Sequence, residues 1–128
     1  MARTAQRTGT ARDVVNGYLD CFTGGDFEGA RRWMADDFAF RGPFATYEAR
    51  EPFFVGADGL RPILRGHRLR QQWEEGGDVC SFYELHLETP VGTGSVLASE
   101  WDTVQEGLVS SARLVFDTAE FRSLVPPR

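Results

Sequence analysis

The chain has 128 residues, enough for one domain with a real core and too few for two. Its 41% hydrophobic and 26% charged content is ordinary for a soluble globular protein. A net charge of −5 argues against nucleic acid as the main partner, and no apolar run approaches the roughly 18 residues that a membrane span needs.

Residues 1–10 are basic, but no apolar stretch follows them. They are expected to be a disordered tail and not a secretory signal. Thr10 to Asp13 then spells T-x-x-D, close to a capping box, and predicts a helix start. Val14, Val15, Tyr18, Leu19 and Phe22 recur at helical spacing, and Gly24-Gly25 ends the helix. Gly17 inside it costs about 1 kcal/mol relative to Ala, so close packing is its expected reason. Asp26 can cap a second helix whose buried stripe is Phe27, Ala30, Trp33 and Met34. Asp36-Asp37 is expected to close it, and Phe38 to Arg41 alternates as a strand.

Tyr47 to Leu60 predicts a third helix, with Pro52 in its first turn. From Leu64 onward the period changes to two. Strands are expected at about 64–74, 79–88, 95–104 and 108–117, joined by glycine-bearing turns as an antiparallel meander. Thr118 to Leu124 predicts a last turn of helix, and 125–128 a short tail. Helices first and long antiparallel strands after them indicate an α+β domain over 11–124. Ten Phe, three Trp and three Tyr suit either a tight core or an apolar pocket. Cys21 and Cys80 are isolated and read as free thiols of a reducing cytoplasm. No metal-ligand cluster, phosphate loop or Ser-His-Asp order is visible, so no metal and no cofactor is expected.

The segments VVNGYLDCFTGGDFEGARRWMADDFAF, TPVGTG with SEW after it, and RLVFDTAEF resemble the NTF2-like superfamily, and within it the SnoaL-like proteins. The resemblance covers about Ala11 to Leu124. It implies a cone-shaped barrel, three N-terminal helices packed on a curved mixed or antiparallel sheet, with a cavity that takes a small hydrophobic molecule. It also implies a homodimer through the outer sheet face, where Trp73, Trp101, Val109 and Val115 are expected to point outward. The fold hosts isomerases, polyketide cyclases, epoxide-opening enzymes and non-catalytic proteins, so the reaction does not follow from it.

Ketosteroid isomerase, a member of that superfamily, holds its substrate's oxyanion between a helix tyrosine and a protonated acid on a late strand. Those positions resemble Tyr18 and Glu100 here. The position of its base resembles Gly42, which has no side chain. Tyr18 and Glu100 are therefore expected to polarise a carbonyl or epoxide oxygen, with Asp102 or His86 moving a proton. The favoured register sets Tyr83 opposite Glu100, with Tyr83 and Leu85 inside and Glu84 and His86 outside. The alternative register brings Glu84 and His86 inside. Ala112 is expected across from Glu100 on the other side, with Leu114 and Phe116 on the same face. Trp33, Phe40 and Phe54 complete the expected pocket lining. His67, among arginines, is expected at the surface. Cofactor-free acid–base catalysis is one reading, and a non-catalytic ligand-binding protein is the other.

Overall fold

A computed structural model describes residues 10–127, so the expected N-terminal tail lies outside the described residues except for Thr10. Thr10 is the N-cap of α1 (Ala11–Thr23). Its hydroxyl accepts from the Asp13 N–H at 3.3 Å, and the Asp13 carboxylate accepts from the Thr10 N–H at 3.1 Å. This reciprocal box satisfies two of the N–H groups that a helix start leaves open. Asp26 caps α2 (Phe27–Arg31) by accepting from the Gly29 N–H at 2.9 Å.

The chain continues as β1 (Met34–Arg41), β2 (Thr46–Tyr47), α3 (Arg50–Ala57), a 3₁₀ turn (Asp58–Ile63), β3 (Leu64–Glu75), β4 (Asp78–Glu88), β5 (Thr93–Gln105), β6 (Leu108–Phe116) and α4 (Thr118–Leu124). The six strands form one mixed sheet in the order β2-β1-β6-β5-β4-β3. β3 to β6 are the expected antiparallel meander. β1 joins it in parallel beside β6, so the first long strand is hydrogen-bonded to the last. Glu106 and Gly107, at φ 53° and 80°, make the tight β5–β6 turn, which requires left-handed backbone at both positions.

α1 lies across the sheet and buries Val14, Val15, Tyr18 and Leu19 against it. Complete burial of one such side chain contributes roughly 1.5–3 kcal/mol. Gly17 has a packing reason. A Cβ built there would lie 2.3 Å from Cε2 of Trp33, so the indole occupies the space that any side chain at 17 would need.

Three local expectations are corrected. The second helix stops at Arg31, and the strand begins at Met34. Asp36 and Asp37 therefore lie in an irregular strand start, between the pairs Met34–Val109 and Ala39–Ser111, where Asp36 takes an ion pair from Arg50 at 3.1 Å. The third helix is shorter than Tyr47 to Leu60, because Tyr47 is committed to a strand pair with Phe40. Val109 is fully buried rather than outward. The register shifts between Thr103 and Val104, and Val104 pairs with Val109, which reverses the phase at the start of β6.

Candidate functional site

β5 is the organising strand. Its burial alternates cleanly, with Val96, Ala98, Glu100 and Asp102 inward and Leu97 and Trp101 outward. Two of the inward side chains are carboxyls, and both are almost wholly buried, Glu100 at 2% exposure and Asp102 at 0%. A buried charge demands partners. Glu100 has two. The Tyr18 hydroxyl donates to Oε2 at 2.8 Å from α1, and the Tyr83 hydroxyl donates to Oε1 at 2.8 Å from β4. Both phenols are pushed well above the ordinary tyrosine value, first by burial and then by the Glu100 charge, so they remain donors.

This clamp forms part of the wall of a cavity of about 260 Å³. That is just below the roughly 300–1,000 Å³ typical of small-molecule sites. The walls are aromatic and aliphatic. Phe22, Phe40, Tyr47 and Phe53 form one side, Leu85, Val96, Ala98 and Leu114 the sheet side, and Phe44, Phe116 and Phe121 another wall. Phe53 is central among the rings, lying within 6.1 Å of Phe22, Phe38, Phe40, Tyr47 and Phe54. Arg122 sits 4.3 Å over the Phe44 ring and holds α4 against this wall. Among the described residues, Glu100 is the one lining residue with a carboxyl or cationic side chain.

Tyr18, Phe40, Tyr83, Leu85, Glu100, Leu114 and Phe116 line the cavity as the sequence suggests. Five expected site residues do not. His86 lies on the outer face, paired with Ser95, and its Nδ1 is 2.9 Å from the Ser95 hydroxyl. It is not among the residues that line the cavity. Asp102 shares the inner face with Glu100 but lies outside the lining. Neither of its oxygens has a hydrogen-bond partner among the described residues. Burial first, and then the neighbouring Glu100 charge, push this carboxyl well above the usual range. Trp33 is taken up by the Gly17 contact, Phe54 packs behind Phe53, and Ala112 is core opposite Asp102.

The register also differs from expectation. Ser81, not Tyr83, pairs with Glu100, and Leu114, not Ala112, lies on its other side. Both errors are two residues long. A two-residue slip keeps every side chain on its face, so Tyr83 and Leu114 still reach the cavity. Gly42, the position resembling the isomerase base, borders the cavity, but a Cβ there would lie 2.8 Å from the Phe40 ring.

His67 is not a surface residue, since its side chain is only 8% exposed. The Thr23 hydroxyl has one proton, and it goes to the Leu19 carbonyl at 2.7 Å. Its 2.7 Å contact with His67 Nδ1 is therefore one in which the ring donates. His67 stands edge-on to Tyr83 at 5.4 Å and backs the clamp. Burial holds its pKa below the ordinary histidine value. Phe22, Thr23, Phe44, Tyr47, Phe53 and Phe121 also line the cavity. Helical spacing marks Phe22 and Phe53 as buried, but not which of the buried faces adjoins a void.

No protein-family model matches the sequence, and no curated protein matches it. Solved structures do. The chain is similar to an NTF2-like protein of unknown function from Cytophaga hutchinsonii, with 22% identity over 88% of this chain and 94% of that one and a TM-score of 0.74. It is similar to a protein assigned as a SnoaL-like polyketide cyclase from Jannaschia sp. CCS1, with 18% identity over 92% and 93% and a TM-score of 0.76. It is also similar to an LEH-like epoxide hydrolase of M. tuberculosis, with 15% identity over 90% and 89% and a TM-score of 0.76. At these identities the likeness is one of fold, and the chain has the NTF2-like α+β fold.

Proposed function

We propose that the protein binds a small, uncharged hydrophobic molecule and catalyses proton transfer on it without a cofactor, in the manner of an isomerase, a cyclase or an epoxide-opening enzyme. One observation carries this reading: an almost wholly buried carboxylate, Glu100, is clamped by two tyrosine hydroxyls in the wall of an otherwise apolar cavity. A carboxylate has about four acceptor sites, and the tyrosines fill two. In the proposed step Glu100 takes a proton from a C–H beside the ligand's carbonyl, or from a water that attacks an epoxide. Tyr18 then turns its O–H to the oxygen on which negative charge develops. Glu100 then gives a proton to the product, either the one it took or one exchanged with solvent, so the enzyme ends as it began. Among the described residues no cationic side chain lines the cavity, which disfavours carboxylate and phosphate ligands.

The test is exchange of solvent deuterium into the α-position of a panel of cyclic ketones, together with hydrolysis of cyclic epoxides. Wild-type protein is expected to accelerate one of them. Glu100→Gln is expected to lose roughly 10²–10⁴-fold, the usual share of general acid–base catalysis. A second reading, ligand binding without chemistry, has its own support: both tyrosine protons are already engaged by Glu100. Ligands that bind with equal rates of exchange in wild type and Glu100→Gln would establish it.

We further propose a homodimer through the outer sheet face, in a reducing, cytoplasmic setting. Trp73, Trp101 and Val115 are 56%, 49% and 65% exposed on that face. Arg41 and Arg113 are neighbours at its β1–β6 side, and Glu75 and Asp78 at its β3–β4 side. A second copy related by a two-fold axis would set each basic end over an acidic one. Cys21 and Cys80 are free thiols, which suits a reducing compartment. Among the described residues no helix is long and apolar enough to cross a membrane.

A further inference from the structure

Asp102 is an anomaly that the proposed reaction does not use. It is fully buried, and its two oxygens are the buried side-chain polar atoms without a hydrogen-bond partner among the described residues. Such a group needs an explanation. Two residues separate it from Glu100 on one strand, so the two carboxyls share a face of β5. The ionisable groups that act on it are Glu100 on its own strand and Cys80 on β4, and it in turn acts on Tyr18 of α1 and Tyr83 of β4. Its cross-strand neighbours, Val79 and Ala112, are apolar. Among the described residues neither carboxyl has an ion-pair partner.

The charge of this pair can be counted. Two adjacent buried carboxyls without a cation cannot both ionise, so at least one proton resides between them. Hydrogen bonding decides where. Glu100 accepts from two O–H donors, which favours its ionised form, whereas the neighbour poised to hydrogen-bond with Asp102 is Glu100 itself, an acceptor that Asp102 can engage only as the protonated partner. We infer that Asp102 is a positioning residue: it holds the proton of a buried two-carboxyl pair as a neutral acid, and so leaves the single negative charge on Glu100, the member that faces the cavity. The catalytic meaning rests on Glu100 being the proton-transferring group. The location of the proton does not, and it can be measured without a substrate. The upward push on Asp102 agrees with the count. When Glu100 receives a proton the pair becomes neutral and the negative charge passes to the ligand oxygen, so the site holds one negative charge throughout and never two.

Difference infrared spectroscopy of wild-type protein near neutral pH, with the side-chain carboxyl carbons of aspartate or of glutamate labelled with ¹³C, locates the proton. A protonated-carboxyl stretch is expected, shifted by the aspartate label and unmoved by the glutamate label. A band that follows the glutamate label, or no band, overturns the proposal. A second measurement compares wild type with Asp102→Asn in urea. A carboxyl kept neutral in the folded chain favours folding fully below its unfolded value of about 3.9, and that contribution is lost as pH rises through the folded value. Asp102→Asn is therefore expected to gain stability relative to wild type between pH 4 and pH 8. A constant difference across that range overturns the proposal. If the variant does not fold, the labelled wild-type protein still decides. Loss of the proposed activity would leave both readouts unaffected.

Discussion

The Tyr83 hydroxyl reaches Glu100 on a diagonal. Tyr83 pairs with Ala98 and Glu100 pairs with Ser81, yet Oη and Oε1 are 2.8 Å apart. A diagonal neighbour on an antiparallel sheet is about 7–8 Å away between backbones, a gap that an aromatic side chain spans and a shorter one does not. Tyr18 arrives from the helix above, so the carboxylate is held from two elements.

Tyr83→Phe and Tyr18→Phe each remove one hydrogen bond to a buried carboxylate. Each is expected to cost roughly 1.5–3 kcal/mol. Because both serve one acceptor, the double variant is expected to depart from the sum of the singles. Urea unfolding of the four proteins at neutral pH measures this, and strictly additive costs would show that the two bonds are independent.

Alkaline pH tests the same clamp. Both phenols titrate well above 10 in the folded chain and at about 10 when unfolded. Their contribution is complete below about pH 10 and is lost as pH rises beyond it. The double Phe variant is expected to lose less stability than wild type above that point, as read by near-ultraviolet circular dichroism.

His67 gives the opposite dependence. Its folded pKa lies below the ordinary value of about 6.5, so its contribution is present above that pH and lost as pH falls through the folded value. His67→Asn keeps a donor for Thr23 and removes the titration. Wild type is expected to lose more of its urea midpoint between pH 7.5 and pH 5 than the variant does.

Gly17→Ala raises helix propensity by about 1 kcal/mol, yet it drives a methyl group into the Trp33 indole. Overpacking typically costs about 1–3 kcal/mol, so net destabilisation is expected. Trp33→Leu should relieve it. In a double-mutant cycle the alanine is then expected to be neutral or stabilising.

Trp101→Arg places charge in the middle of the exposed aromatic face of the sheet. Sedimentation equilibrium is expected to show a dimer for wild type and a monomer for the variant. A monomeric wild-type protein would sink the proposed assembly.

Period and punctuation made most of this architecture legible. The Thr10 box, the Asp26 cap and the glycine turns are local chemistry, and each lies where the sequence puts it. The resemblance to ketosteroid isomerase pointed Glu100 inward, and alternation then set Asp102 on the same face. What alternation cannot carry is register, and both strands beside Glu100 are offset by two residues from expectation. Nor does it foresee a bulge, and one shift beside Val104 turned Val109 inward. His67 lies among arginines that are ion-paired, Arg65 to Glu88 and Arg70 to Glu84, which gave its neighbourhood the look of a solvated face. The bulge between His67 and Leu64 and the Thr23 hydroxyl, distant in sequence, bring it inside.

The partners of the clamp are far apart along the chain, Tyr18 lying 82 residues before Glu100. A ribosome that has released β1 to β4 has released both tyrosines, but no carboxylate for them to hold and no β6 to carry β1. Contacts of such long separation form slowly. Until β5 docks, the two phenols have only water to bond, and Asp102 titrates as an ordinary acid. The proton that distinguishes the two carboxyls is therefore taken up during folding itself. Refolding from neutral denaturant should draw a proton from weakly buffered solution, as a timed event marking completion of the sheet.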